Sequence, residues 1–156
     1  MRLVLIRHAE AEGMRTSDAE RALTAHGHEQ AAQTAAWLAA ALGNAKPQLL
    51  VSPYKRAQQT AAAITQALQI ESLLLDEITP DVDPRRALRA IEECVKADTV
   101  IVVTHMPLVA ALASWLESGA LSAGRGFMLA EARVLEAEVL GASTAQLRAH
   151  YFPGME

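Results

Sequence analysis

Leu3-Val4-Leu5-Ile6-Arg7-His8-Ala9-Glu10 decides how the rest of this chain is read. An unbroken apolar run with no polar alternation is the pattern of a strand buried on both faces, as in a parallel sheet. The same pattern returns at Val100-Ile101-Val102-Val103-Thr104-His105-Met106-Pro107. Each run ends in a histidine at the point where the chain should leave the sheet. Ligands of open α/β sheets sit outside the carboxyl ends of the strands. The Arg7-His8 end and His105 therefore mark the candidate site.

Working outward, residues 9–22 are small, polar and charged, a loop of the length usually reserved for function. Thr24 then reads as the N-cap of a helix that turns Ala31, Ala35, Leu38 and Leu42 to one side and stops at Gly43-Asn44. Gly27, in its first turn, costs about 1 kcal/mol of propensity against alanine; it either permits close packing or is simply tolerated. Leu49-Leu50-Val51 is the second strand, and Ser52-Pro53 reads as an N-cap with proline at the first helical position. That helix carries Ala57, Ala61, Ile64 and Leu68 inward. Leu73-Leu74-Leu75 is the third strand, and a helix with Leu88, Ile91 and Val95 on one face follows the prolines at 80 and 84. Thr99 to Val103 forms the fourth strand, and Pro107 opens the helix of Leu112 and Leu116. Beyond a glycine-bearing loop at 117–126, three extended segments are expected: Phe127-Met128-Leu129, Arg133 to Leu140, and Gln146 to Phe152 as an edge strand. Glu131-Ala132-Arg133 reads equally well as helix. The alternation predicts an α/β fold, a three-layer αβα sandwich with a mainly parallel central sheet, in one domain spanning residues 1–156.

The composition narrows the function classes. With only 4% aromatics, the core must rest on Leu, Val, Ile and Ala. A net charge of −4 without any basic stripe argues against a nucleic-acid partner. The apolar runs are too short to span a membrane, and a strand directly after Met1-Arg2 argues against a signal peptide. The lone Cys94 reads as a buried small hydrophobe in a reducing compartment, so a cytoplasmic location is expected. His8 with Glu10, or His26 with His28, lacks a third ligand and any metal-binding motif, so no metal or cofactor is expected. No G-x-G-x-x-G follows the first strand, which removes a dinucleotide site.

Arg56 supplies an independent clue. With Lys55 it falls in the first turn of its helix, where the helix dipole disfavours cations. An arginine there either swings out to solvent or faces an anion beyond the helix end. With Arg7 and both strand-end histidines on the same edge, the second reading gains weight. Arginine donates bidentately to phosphate oxygens, so the cluster suits phosphate or another tetrahedral oxyanion. His26, His28 and His150 are read as structural.

Three ordered motifs carry a resemblance. Arg7-His8-Ala9-Glu10, Ser52-Pro53-Tyr54-Lys55-Arg56-Ala57-Gln58-Gln59-Thr60 and Thr104-His105-Met106-Pro107 resemble the signatures of the histidine phosphatase superfamily, the phosphoglycerate mutase-like fold. The Asp18…Arg21-Ala22-Leu23-Thr24…Gly27 run is most similar to the small bacterial SixA-type phosphohistidine phosphatases. Ala9 stands where much of the superfamily has glycine. The resemblance implies that His8 is a nucleophile forming a covalent phosphohistidine, and that Arg7, Arg56 and His105 bind the phosphoryl oxygens without magnesium. His8 must be neutral to attack, and two arginines should lower its pKa. His105 is more useful protonated, so the two imidazoles are expected in different protonation states. Glu77, Asp81 and Asp18 are the candidate proton donors, and Ser17 and Arg21 are further candidates for substrate contact.

Larger relatives carry an added segment between the third and fourth strands; here only a short span is present. Without that large cap insertion the carboxyl edge should be an open bowl, suited to a phosphohistidine displayed on another protein, such as a histidine phosphotransfer domain. The alternatives are a small-molecule phosphomonoesterase of the same superfamily, and a non-catalytic module that binds phosphate or phosphoprotein.

Overall fold

The computed structural model describes residues 1–13, 17–121 and 124–155. Strands β1 (Arg2–Arg7), β2 (Gln48–Val51), β3 (Ser72–Leu74), β4 (Thr99–Thr104), β5 (Ala132–Glu136) and β6 (Gln146–Tyr151) form one sheet in the order β3-β2-β4-β1-β5-β6. The pairs β2-β3, β2-β4 and β1-β4 are parallel, whereas β5 and β6 join antiparallel, so the sheet is mixed. Helices α1 (Ala25–Leu42) and α2 (Lys55–Leu68) cover one face; α3 (Pro84–Cys94) and α4 (Leu108–Ser118) cover the other. Side-chain alternation divides the core accordingly. Val4, Ile6, Ile101 and Val103 pack with Ala35, Leu38, Ala61 and Ile64. Leu3, Leu5, Val100 and Val102 pack with Leu88, Ile91, Leu108 and Leu112. Strands covered on both sides need apolar residues at every position, which explains the continuous runs of β1 and β4.

Thr24 caps α1 as expected, its hydroxyl accepting from the Gly27 N–H at 2.9 Å, and Gly43 ends the helix at φ 57°. Gly27 is there for close packing, because a Cβ would stand 2.1 Å from the Glu10 carbonyl oxygen. This contact draws the start of α1 against the chain leaving β1.

The structure corrects several boundaries. Ser52 does not cap α2; the helix begins at Lys55 behind Tyr54, and no side chain caps it. Phe127-Met128-Leu129 is not a strand but runs as coil into a turn, because its polar backbone groups go elsewhere: the Phe127 carbonyl accepts from the Arg7 side chain, and Met128 bonds to Glu131 through both its N–H and its carbonyl. The extended segment predicted to reach Leu140 stops at Glu136, and Glu131-Ala132-Arg133 leads into that strand instead of forming helix. Cys94 is half-buried at the end of α3, against the core rather than within it. Residues 14–16 of the long first loop, and 122–123 of the glycine-bearing one, lie outside the described residues. Among the described residues, no helix is long and apolar enough to cross a membrane.

Candidate active site

Parallel pairing of β1 with β4 puts Arg7 opposite Thr104, so His8 and His105 emerge side by side. The His8 N–H donates to the Thr104 carbonyl at 3.0 Å, and the two imidazole centroids lie 5.3 Å apart. Strand β2 pairs with β4 up to Val51–Val103, which delivers the N-terminus of α2, and with it Arg56, to the same edge. Arg56, His105 and His8 are all buried. The sequence thus separates these groups widely, and the strand order reunites them.

Hydrogen bonds fix the His8 ring. Its Nδ1 lies 2.7 Å from the Ala9 carbonyl oxygen, an acceptor only, so Nδ1 carries the proton. Its Nε2 then keeps the lone pair, and the Arg56 Nε–H donates to it at 3.2 Å. The ring therefore presents Nε2 as its basic and nucleophilic atom. Thr60 braces the same turn: its hydroxyl accepts from the Ala9 N–H at 3.0 Å and donates to the Arg56 carbonyl at 2.8 Å.

His105 is held differently. Its Nε2 lies 2.7 Å from Ser52 Oγ, and that oxygen also accepts from the Tyr54 N–H at 3.3 Å. The Ser52 hydroxyl has one proton to give and a second lone pair: donating to Nε2, it leaves the His105 proton on Nδ1; accepting from Nε2, it leaves Nδ1 bare. Tyr54 sets its ring edge-on to His105, and the Arg56 guanidinium carbon lies 5.1 Å above the Tyr54 centroid.

Electrostatics overturn one expectation. The His8 pKa falls from 6.5 to about 4, chiefly through burial, with the charges of Arg56, Arg7 and Arg21 adding to it. His105 falls further, to about 3, through burial first and then the charges around His8 and Arg56. The imidazoles are therefore both neutral near neutral pH, not in opposite states as the sequence suggested. His105 meets a serine hydroxyl rather than a carboxylate, and the charge of Asp18 only partly offsets the loss of water.

Asp18 is at the site, in a short 3₁₀ turn (Asp18–Glu20) of the long loop. Arg56 donates to it twice, Nη1 to its carbonyl at 2.7 Å and Nη2 to its carboxylate at 3.2 Å. Its other carboxylate oxygen accepts from Arg21 at 3.0 Å. The Arg21 hydrogen bond, followed by the charge of Arg56, holds this carboxyl below the usual carboxylate range. An acid held ionised this way is a poor proton donor; it is instead the anion that receives the arginine at the helix N-terminus. Arg21 also donates to the Glu12 carbonyl at 2.8 Å, and exposed Ser17 lies beside it on the rim with Lys55. Glu77 belongs to the 3₁₀ turn after β3 and lines a depression with Arg86, Arg89 and Glu93, while Asp81 is exposed in the following turn. Among the described residues, no hydrogen bond or ion pair joins either acid to Arg7, His8, Arg56 or His105. Glu10 is engaged by the Thr24 hydroxyl at 2.8 Å, and His26 and His28 are exposed on α1. Among the described residues, no group of three or more His, Cys, Asp or Glu side chains is arranged to hold a metal ion.

Buried polar atoms ordinarily have partners. Among the described residues the side-chain exceptions are Arg7 Nε, His105 Nδ1 and His150 Nδ1. The first two belong to this cluster: Arg7 Nε is an N–H donor, and His105 Nδ1 is one in the tautomer whose Nε2 accepts from Ser52. Donors that are desolvated yet unpaired, beside a second arginine and a basic imidazole nitrogen, suit an oxyanion that accepts from several sides at once. Ser52 and Thr60 were not singled out as site residues by sequence reasoning. Both lie in the second motif, but the Ser-Pro pair matched a helix cap so well that it masked the serine's partner.

Comparison with known proteins agrees with this geometry. Residues 3–79 match the model of the histidine phosphatase superfamily (branch 1). The chain is 36% identical over 121 residues to the phosphohistidine phosphatase SixA homolog of Haemophilus influenzae, covering 70% of this chain and 73% of that protein. It is 30% identical over 125 residues to the phosphohistidine phosphatase SixA of Escherichia coli, covering 76% of each. The solved structure of the protein histidine phosphatase SixA complexed with tungstate shares the fold at a TM-score of 0.84, with 24% identity and 98% of this chain and 97% of that one covered. Sequence likeness to named relatives and a common fold over nearly the full chain point the same way as the strand-end histidines, and on those grounds this protein belongs to the histidine phosphatase superfamily.

Proposed function

We propose that this protein is a phosphohistidine phosphatase, removing the phosphoryl group from a histidine of another protein through a covalent intermediate on His8. The observation that carries the reading is the fixed His8 tautomer, Nε2 unprotonated and held by Arg56, next to the unpaired buried nitrogens Arg7 Nε and His105 Nδ1, the latter taken as an N–H. The names of the relatives from H. influenzae and E. coli support the substrate class.

In the first step His8 Nε2 forms a bond to phosphorus as the bond to the substrate nitrogen breaks. Arg7, Arg56 and the His105 Nδ1–H donate to the three equatorial oxygens, where charge is spread in a loose transition state. A neutral His105 serves here, because its free N–H donates without adding a charge that would compete with the arginines. When the other ring nitrogen of the substrate carries a proton, the leaving group departs as neutral imidazole. No general acid is then required, which agrees with Asp18 being held ionised. In the second step water adds to phosphorus, the bond to Nε2 breaks, and orthophosphate leaves.

The connection from β3 to β4 consists of a 3₁₀ turn, α3 and short links, with no added cap. This supports a substrate carried on a protein surface, and we extend the proposal to a histidine phosphotransfer domain of a signalling relay in the cytoplasm. The decisive experiment supplies a 32P-phosphohistidine protein, traps the acid-labile adduct and maps it. Label on His8, with turnover far above that of small phosphomonoesters, is the expected result. Label elsewhere, undiminished turnover by His8→Asn, or a marked preference for a sugar phosphate overturns the proposal.

A further inference from the structure

Glu131 and Arg133 form an ion pair in the protein interior, 2% and 3% exposed, with Arg133 Nε 2.6 Å from Glu131 Oε2. Such a pair is a poor source of stability, because desolvation offsets most of the attraction. What it does here is organise the segment before β5. Glu131 Oε1 accepts from the Met128 N–H at 2.8 Å. Arg133 donates to the carbonyls of Arg125 at 3.1 Å and Gly126 at 2.7 Å, and its guanidinium lies 3.7 Å over the Phe127 ring centroid. The segment so folded meets the site at Arg7 and His8 through three hydrogen bonds. The Phe127 carbonyl accepts from Arg7 Nη1 at 2.8 Å, the Glu131 carbonyl from the Arg7 N–H at 3.1 Å, and the Ala130 N–H donates to the His8 carbonyl at 3.1 Å.

We infer that the buried Glu131–Arg133 pair is a positioning element that sets the aim of the Arg7 guanidinium by holding the Phe127 carbonyl in place. The inference rests on the reading that Arg7 binds the phosphoryl group. The pair touches no substrate itself. Without it, the carbonyl that steadies Arg7 is free to shift, and the Nε–H donor turns with it. Misplacement of a binding group by an ångström suffices for a large loss of rate.

The test is a double-mutant cycle on the full chain. Glu131→Gln keeps the shape and removes the charge; tungstate affinity is measured by calorimetry and kcat/KM with a phosphohistidine protein. The expected result is about tenfold weaker tungstate binding and at least as large a loss of kcat/KM. In an Arg7→Ala background the same substitution should change tungstate affinity by less than about twofold, because the group it acts through is gone. A purely structural pair would weaken binding equally in both backgrounds, and that outcome, or unchanged affinity in Glu131→Gln, overturns the inference. If Glu131→Gln fails to fold, the variant Glu131→Leu/Arg133→Met removes both charges of the pair, so neither is left buried alone, and is compared in the same two backgrounds. Tungstate binding needs no turnover, so a wild-type protein that binds the anion but cleaves no phosphohistidine refutes the proposed function and not this assignment.

Discussion

Lowering the pH should leave both site imidazoles uncharged until well below the range in which histidine ordinarily titrates. For His8 the fall from 6.5 to about 4 means that charging the ring in the folded protein is disfavoured by about 3 kcal/mol. Burial is the main cause and the three arginines add to it, so the value should respond only weakly to salt. His105 shifts in the same direction and further, to about 3. The unfolded chain binds these protons first, so the effect on stability has a definite sign. It is negligible well above pH 6.5 and grows as the pH falls through that value, toward 4 for His8 and toward 3 for His105. The assay is an NMR titration of ring-labelled protein, with the signals assigned through His8→Asn and His105→Asn, alongside urea unfolding across the same pH range. The expected result is two rings neutral with Nδ1 protonated at pH 6, and a folded state that loses stability steadily between pH 6.5 and 4. Tungstate should raise both pKa values, because a bound dianion stabilises an imidazolium. Either ring titrating near 6.5 in the free protein, or a His105 proton on Nε2, would refute the reasoning.

Removing the Ser52 hydroxyl with Ser52→Ala leaves His105 Nε2 buried without a partner. Urea unfolding should show a loss of about 1–3 kcal/mol, and kcat/KM should fall because the His105 ring loses the group that holds it. Gly27→Ala forces a methyl group into the Glu10 carbonyl oxygen, which stands 2.1 Å from the built Cβ. It should destabilise by about 1–3 kcal/mol despite the better helix propensity of alanine, and a stabilised protein would show that α1 can move away from Glu10.

How much of this was legible in the sequence follows from how far each property reaches along the chain. The runs of β1 and β4, the Thr24 cap and the Gly43 stop are set by neighbouring residues, so periodicity and spacing disclosed them. The convergence of Arg7, His8, Arg56 and His105 was also readable, because parallel strands joined by helices bring their carboxyl ends to one edge.

Other properties belong to contacts between distant segments. Ser52 looks locally like a helix cap, yet β2 lies beside β4, and its hydroxyl turns to His105 instead. Phe127-Met128-Leu129 has strand-forming residues, but the segment folds around the buried Glu131–Arg133 pair and gives its carbonyl to Arg7. The protonation of His105 depends on burial and on which group faces each ring nitrogen, quantities that exist only once the layers close. Sequence alone thus determined the order of strands and helices and which reactive groups lie at the strand ends, since both follow from local pattern. Tertiary structure decided how those groups are held and charged, because desolvation and partner choice are set by residues remote along the chain.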